Sequence, residues 1–246
     1  ASDVYKRQIL QTARDFERVK NVILPEDEYK GVQAYTTYYY QYFFTMLVMM
    51  FVIYDMFAQR DNGMWSITYS CANGRIMYAI KQTGVIVVTG AFTHTLIYWS
   101  TFIAAMLQRG GVRDLVNPVQ TIETFDKFTY PWSKIKYVTV LYLISMVCIV
   151  ALCITIWGVF VMFRNRVYAL VTMLIFAAVE QFIYSHIDIH SVWNGLHYIN
   201  IINIININAT FSSYRNWGVG TYVFPVFSVV LFVHIICACL LYTSDA

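Results

Sequence analysis

The chain has 246 residues, of which 59% are hydrophobic and only 13% charged. Soluble domains carry about 25% charged residues, so a water-soluble globule is excluded. A formal net charge of +3, with no basic stripe carrying interleaved aromatics, excludes a nucleic-acid surface. Cys71, Cys148, Cys153, Cys237 and Cys239 fall mostly in or beside apolar runs without metal-ligand spacing. They read as small hydrophobes and not as a disulfide framework.

The end strings ASDVYKRQ and CLLYTSDA resemble translated sequencing-adapter DNA, as at the edges of metagenomic contigs. They are expected to be non-native, with the natural sequence running from about Ile9 to about Ala238 and continuing at both ends. Residues 9–34 form a polar juxtamembrane segment. In it, Phe16, Val19 and Val22 or Ile23 have helical spacing, and Pro25 is expected to end the helix.

The first membrane span is expected over residues 35–57, opening on the aromatic-rich string YTTYYYQYFF that suits a membrane–water interface. Later spans are expected over 85–107, 137–163, 167–187 and 222–242. Each reaches or approaches the roughly 20 apolar residues that cross a bilayer as a helix. The expected fold class is therefore an all-α polytopic membrane helix bundle.

Between the first two spans lies the segment 58–82, too long for a minimal turn and too short for a domain. Asp61 or Asn62 is placed to cap a helix start. MWSITY supplies apolar side chains for a short surface helix, and Asn73-Gly74 is expected to stop or kink it. Arg75 and Lys81 flank the return to the membrane, where long stems reach headgroups. Such a helix, braced by spans at both ends, has one face open to a partner. The loop 108–136 carries a weak amphipathic pattern in VQTIETFDKFTYPW. Asn200, Asn203 and Asn206 recur every three residues, as on one face of a surface helix.

The string HIDIH places His186, Asp188 and His190 where histidines four apart share a helix face, the pattern of a metal site. The plainer reading is a polar cap where a helix leaves the bilayer, because no second His-rich segment faces it. Glu180 and Asp55 sit near span ends, within reach of water. No phosphate-cradling glycine loop and no nucleophile elbow occur.

Taken together, these strings resemble the membrane-spanning permeases of type-2 ATP-binding-cassette exporters. The similarity is to a Gram-positive branch close to peptide-bacteriocin and antibiotic-resistance exporters. Asp61, Gly63, Met64 to Tyr69, Gly74-Arg75 and Lys81 match that family's acidic–Gly–apolar–Gly-Arg–Lys series between two spans. NPVQTIETF, Arg164-Asn165-Arg166, and Tyr198-Ile199-Asn200 followed by Tyr214-Arg215-Asn216 are similar to its later loops. A proline often precedes the family's Gly-Arg step; here the string is Ser-Cys-Ala-Asn-Gly-Arg.

The resemblance implies one permease domain over 1–246 with six spans, of which five are present. It makes 58–82 a cytoplasmic coupling segment with Asp61, Gly63, Met64, Trp65, Gly74, Arg75 and Lys81 as its partner-binding residues. It implies a bacterial plasma-membrane location, a second permease chain, and a separate ATPase subunit that holds ATP and Mg. This chain itself then carries no catalysis, no cofactor and no metal. Charge counting opposes that orientation, since the segments on the side away from Arg60, Arg75, Lys81, Arg164 and Arg166 hold more cations. Two alternatives are a multi-span metalloenzyme using His186, Asp188 and His190, and a sensor or assembly protein without transport.

Overall fold

The computed structural model describes residues 2–25, 30–37, 41–70, 74–109, 111–186, 200, 216–219 and 222–225, together with 228, 229, 232, 233 and 236. It is an all-α membrane helix bundle with one small hairpin among the described residues. The helices are α1 (Ser2–Glu17), α2 (Gly31–Thr37), α3 (Gln41–Met56), α4 (Ala58–Asp61), α5 (Met64–Tyr69), α6 (Gly74–Arg109), α7 (Lys134–Met162) and α8 (Arg166–His186). Among the described residues, four stretches are long and apolar enough to cross a membrane: Phe43–Arg60, Met77–Arg109, Lys134–Met162 and Arg166–Ile183. Their outward side chains are large and apolar, including Phe51, Val88, Phe92, Leu143, Ile175 and Phe182. That is the surface a lipid-facing helix presents.

Several expectations need correction. The range 222–242 opens as strand, because β1 (Asn216–Val219) and β2 (Tyr222–Pro225) pair antiparallel with Val219 opposite Tyr222. Further along, Ser228, Val229, Phe232, Val233 and Ile236 are helical. In the juxtamembrane segment, α1 ends at Glu17, well before Pro25. Val19 and Val22 lie beyond the helix, in turns closed by Val19 N–H to Phe16 O (3.1 Å) and Val22 N–H to Val19 O (3.0 Å).

The chain divides into two compact units, and the division falls within α6 and α7. The first comprises Ala1–Tyr39, Tyr98–Ser145 and Asn206–Phe232. In it α1 packs on the hairpin, and Gln8 Nε2 donates to Asn216 O at 3.5 Å. Its core joins Tyr35, Tyr98 and Phe102, with ring centroids 5.5 and 5.3 Å from Tyr35. The Tyr98 hydroxyl donates to the Val138 carbonyl at 2.7 Å.

The 111–133 loop of this unit is a packed structure and not a plain polar connector. Val119, Ile122, Phe125 and Phe128 are all buried. Their spacing is three, not 3.6, and the backbone follows it with short 3-10 turns over Val112–Val116, Val119–Thr121 and Glu123–Phe125. Phe125 and Phe128 close on Tyr137 at 4.9 and 5.6 Å. Gln120 Nε2 donates to the carbonyls of Phe128 and Tyr130 at 3.0 and 2.8 Å, holding the return strand of the loop. An ion pair between Asp114 and Lys134 is sealed beneath, with side chains 0% and 1% exposed.

The second unit comprises Tyr40–Ile97, Met146–Ile205 and Val233–Ala246. On α7, Ile149, Leu152, Cys153, Ile156 and Phe160 are buried at helical spacing and form one stripe. Cys148 and Cys153 are buried free thiols. Gly90 of α6 is fully packed: a Cβ there would stand 2.7 Å from Cys153 Sγ and 3.5 Å from Met49 Cε. The missing side chain is what lets the three helices meet so closely. On α8, Ala169 and Met173 are buried, whereas most of its described side chains face outward.

Candidate coupling site at the end of the second unit

Within the second unit, the segment after α3 forms two short helices and not one. α4 ends at Asp61; Asn62 N–H bonds back to Ala58 O (3.1 Å) and Gly63 N–H to Arg60 O (3.0 Å). Gly63 then takes φ 74°, the left-handed conformation that closes a helix C-terminus and is open to glycine at little cost. α5 starts at the next residue. Asp61 and Asn62 thus stand at a helix end, and the expected N-cap role is corrected.

The second correction concerns Asn73-Gly74. Gly74 does not stop a helix but begins α6, which runs 36 residues to Arg109, about 54 Å at 1.5 Å per residue. Arg75 and Lys81 therefore ride on the first turns of the second span's own helix, before the expected membrane entry at Val85. Lys81 is exposed. The side chains of Asp61 and Arg75 lie outside what is described.

What anchors the α4–α5 segment is a different set of residues. Arg60 Nη1 donates to the carbonyls of Phe160 (3.3 Å) and Phe163 (2.7 Å) at the C-terminal end of α7. Phe160 O belongs to the last turn of α7, where carbonyls lack an intrahelical partner, and a cation there also meets the negative end of the helix dipole. The guanidinium lies over the Phe57 ring at 4.7 Å and the Trp65 ring at 5.6 Å. Phe57, fully buried, packs its ring against Trp65 (5.2 Å) and Phe160 (5.5 Å).

The first turns of α6 are tied in as well. Trp65 meets the Tyr78 ring edge-on at 5.5 Å. Tyr78 Oη donates to Gln59 Oε1 at 3.2 Å and accepts from Gln82 Nε2 at 2.8 Å. A further cation–aromatic contact joins Arg166, the first residue of α8, to Tyr54 of α3 at 4.6 Å. The turn before α8 is capped by Asn165, whose Oδ1 accepts from Val167 N–H at 2.8 Å. The opposite face of the segment is open: Met64 is 55% exposed and Ile67 71%.

Of the residues expected to form the site, the structure brings Trp65 into this cluster, gives Gly63 the backbone role and leaves Met64 on the open face. Arg60, Phe57 and Tyr78 were missed. A cation three residues beyond an aromatic, at the close of an apolar run, is the signal that could have found Phe57 and Arg60; none points to Tyr78.

The metal alternative rests on His186, Asp188 and His190. Asp188 and His190 lie outside the described residues, and among the described residues no group of three metal-ligating side chains occurs. His186, at the end of α8, stacks on Phe182 at 4.1 Å. Its Nδ1 lies 2.9 Å from both the Phe182 carbonyl oxygen and the Ser185 hydroxyl oxygen. Near the same end, Asn200 Nδ2 donates to Glu180 O at 2.8 Å.

The four helical stretches among the described residues that are long and apolar enough to cross a membrane define the class as a polytopic membrane protein. Comparison with protein-family models, curated proteins and solved structures finds no match.

Proposed function

We propose that this chain is the membrane-spanning subunit of an ATP-driven exporter in a bacterial plasma membrane. In this reading two such chains pair and bind two copies of a separate ATPase, which alone holds ATP and Mg. The observation that supports it is the α4–α5 segment: a surface helix pair anchored on one side to span ends, with apolar Met64 and Ile67 exposed on the other. A plain connector needs neither the anchoring nor the exposed apolar face. Closure of the ATPase dimer pushes on that face, and the spans shift between inward- and outward-facing populations. In this reading the exported substrate is a peptide, lipid or drug-like molecule.

The test is co-purification of the full chain, expressed with its neighbouring genes. A phosphate-loop ATPase retained by the wild type and lost from Ile67→Asp, at equal membrane content, supports the reading. Retention of no ATPase contradicts it. Within a working transporter, Gly63→Pro and Arg75→Glu should impair transport more than membrane insertion.

A further inference from the structure

We infer that Arg60 is the joint through which movement of the α4–α5 segment reaches the C-terminal end of α7. Three independent contacts of one side chain converge there. Its guanidinium bonds to Phe160 O in the last turn of α7 and to Phe163 O just past the helix end. It lies over Trp65, the second residue of α5. It lies also over Phe57, which itself touches both Trp65 and Phe160. One rigid planar group thus grips both moving parts, and it leads to a span far away in sequence.

Without Arg60 the segment stays attached to α3 through the chain and to α6 through Tyr78. Its direct polar grip on α7 is gone. A load on α5 then moves the neighbouring spans and leaves the α7 end behind. Lysine does not substitute, because a point charge on a flexible stem lacks the planar fork and stacks less well. The inference rests on the exporter reading only for what supplies the load; the linkage itself belongs to this chain.

The experiment uses full-length protein in lipid nanodiscs, with Cys71, Cys237 and Cys239 replaced by serine and Ile67→Cys carrying a polyethylene glycol maleimide. Amide hydrogen exchange over residues 160–167 is compared with and without the label. With Arg60 present, the label should change exchange there several-fold, while the α7 interior over 148–156 stays unchanged. With Arg60→Lys the label effect should vanish, although the protein folds. With Arg60→Ala, exchange in 62–70 and 160–167 should also rise together, by roughly ten- to a hundredfold, the opening that lost hydrogen bonds from a charged donor permit. Should Arg60→Ala fail to fold, Arg60→Lys alone decides.

An equal label effect at 160–167 in Arg60→Lys and wild type overturns the inference, as does no effect in the wild type. A merely structural Arg60 would change stability without abolishing the label effect. No ATPase enters the measurement, so its failure is distinct from failure of the exporter reading.

Discussion

Arg60 and Phe163, 103 positions apart in sequence, are joined by a 2.7 Å hydrogen bond from the guanidinium Nη1 to the carbonyl oxygen. The bond ties the segment after the first span to the end of the third. Phe57 lies beneath it, fully buried between Trp65 and Phe160. Truncating a buried phenylalanine costs about 3–5 kcal/mol. Phe57→Ala should therefore lower the thermal transition of the purified protein clearly, whereas Met64→Ala, on the open face, should stay within about 0.5 kcal/mol of wild type. Equal effects of the two would refute the assigned faces.

Gly63 and Gly84 make a pair with opposite expected signs. A Cβ added at either meets nothing within 4 Å. Gly63 alone holds positive φ, so Gly63→Ala should destabilise by about 1–2 kcal/mol from backbone strain. Gly84 sits within α6, where alanine reduces the freedom of the unfolded chain, so Gly84→Ala should stabilise by about 0.4–1 kcal/mol. Denaturation midpoints of the two variants, measured under one condition, check the signs.

Gly90 differs from both because space and not φ is what it supplies. Gly90→Ala places a Cβ 2.7 Å from Cys153 Sγ and should cost about 1–3 kcal/mol by overpacking. Cys153→Ala removes the opposing sulfur. The double variant should recover most of the loss, a non-additivity that a double-mutant cycle on thermal stability reads directly. Strict additivity would show that α6 and α7 do not touch there.

Asp114 and Lys134 form a buried ion pair under the 111–133 loop. Removing one member leaves an uncompensated buried charge, so Asp114→Asn or Lys134→Met should cost about 3–5 kcal/mol. Replacing both, as Asp114→Leu with Lys134→Met, should restore much of that stability. Because the pair is sealed from solvent, added salt should change the single-variant losses little. Limited proteolysis within 111–133 reports the loop's opening.

The spanning helices were legible because length and hydropathy alone decide them: a run such as Tyr137 to Phe163 has no soluble alternative. The loop string VQTIETFDKFTYPW shows a weak amphipathic pattern, but its spacing of three at Val119, Ile122, Phe125 and Phe128 does not by itself announce the packed 3-10 turns. The start of α6 was misjudged because an Asn-Gly pair marks helix ends of either kind, and the next glycine after Gly74 comes only at Gly84. The strands Asn216–Val219 and Tyr222–Pro225 are four residues each, too short for alternation to stand out. The α7-end partners of Arg60 and the Asp114–Lys134 pairing were invisible for a different reason. Each joins positions distant in sequence, and no local pattern records where a long-range partner falls.

The central claim is that α5 faces the cytosol, where a nucleotide-driven partner presses on it. The direct measurement is labelling of Ile67→Cys with a membrane-impermeant maleimide, in a background with Cys71, Cys237 and Cys239 replaced by serine, before and after permeabilising intact bacteria. The account predicts no labelling in intact cells and full labelling once the membrane is opened. Full labelling from outside intact cells would place the segment on the wrong side of the bilayer and contradict the exporter.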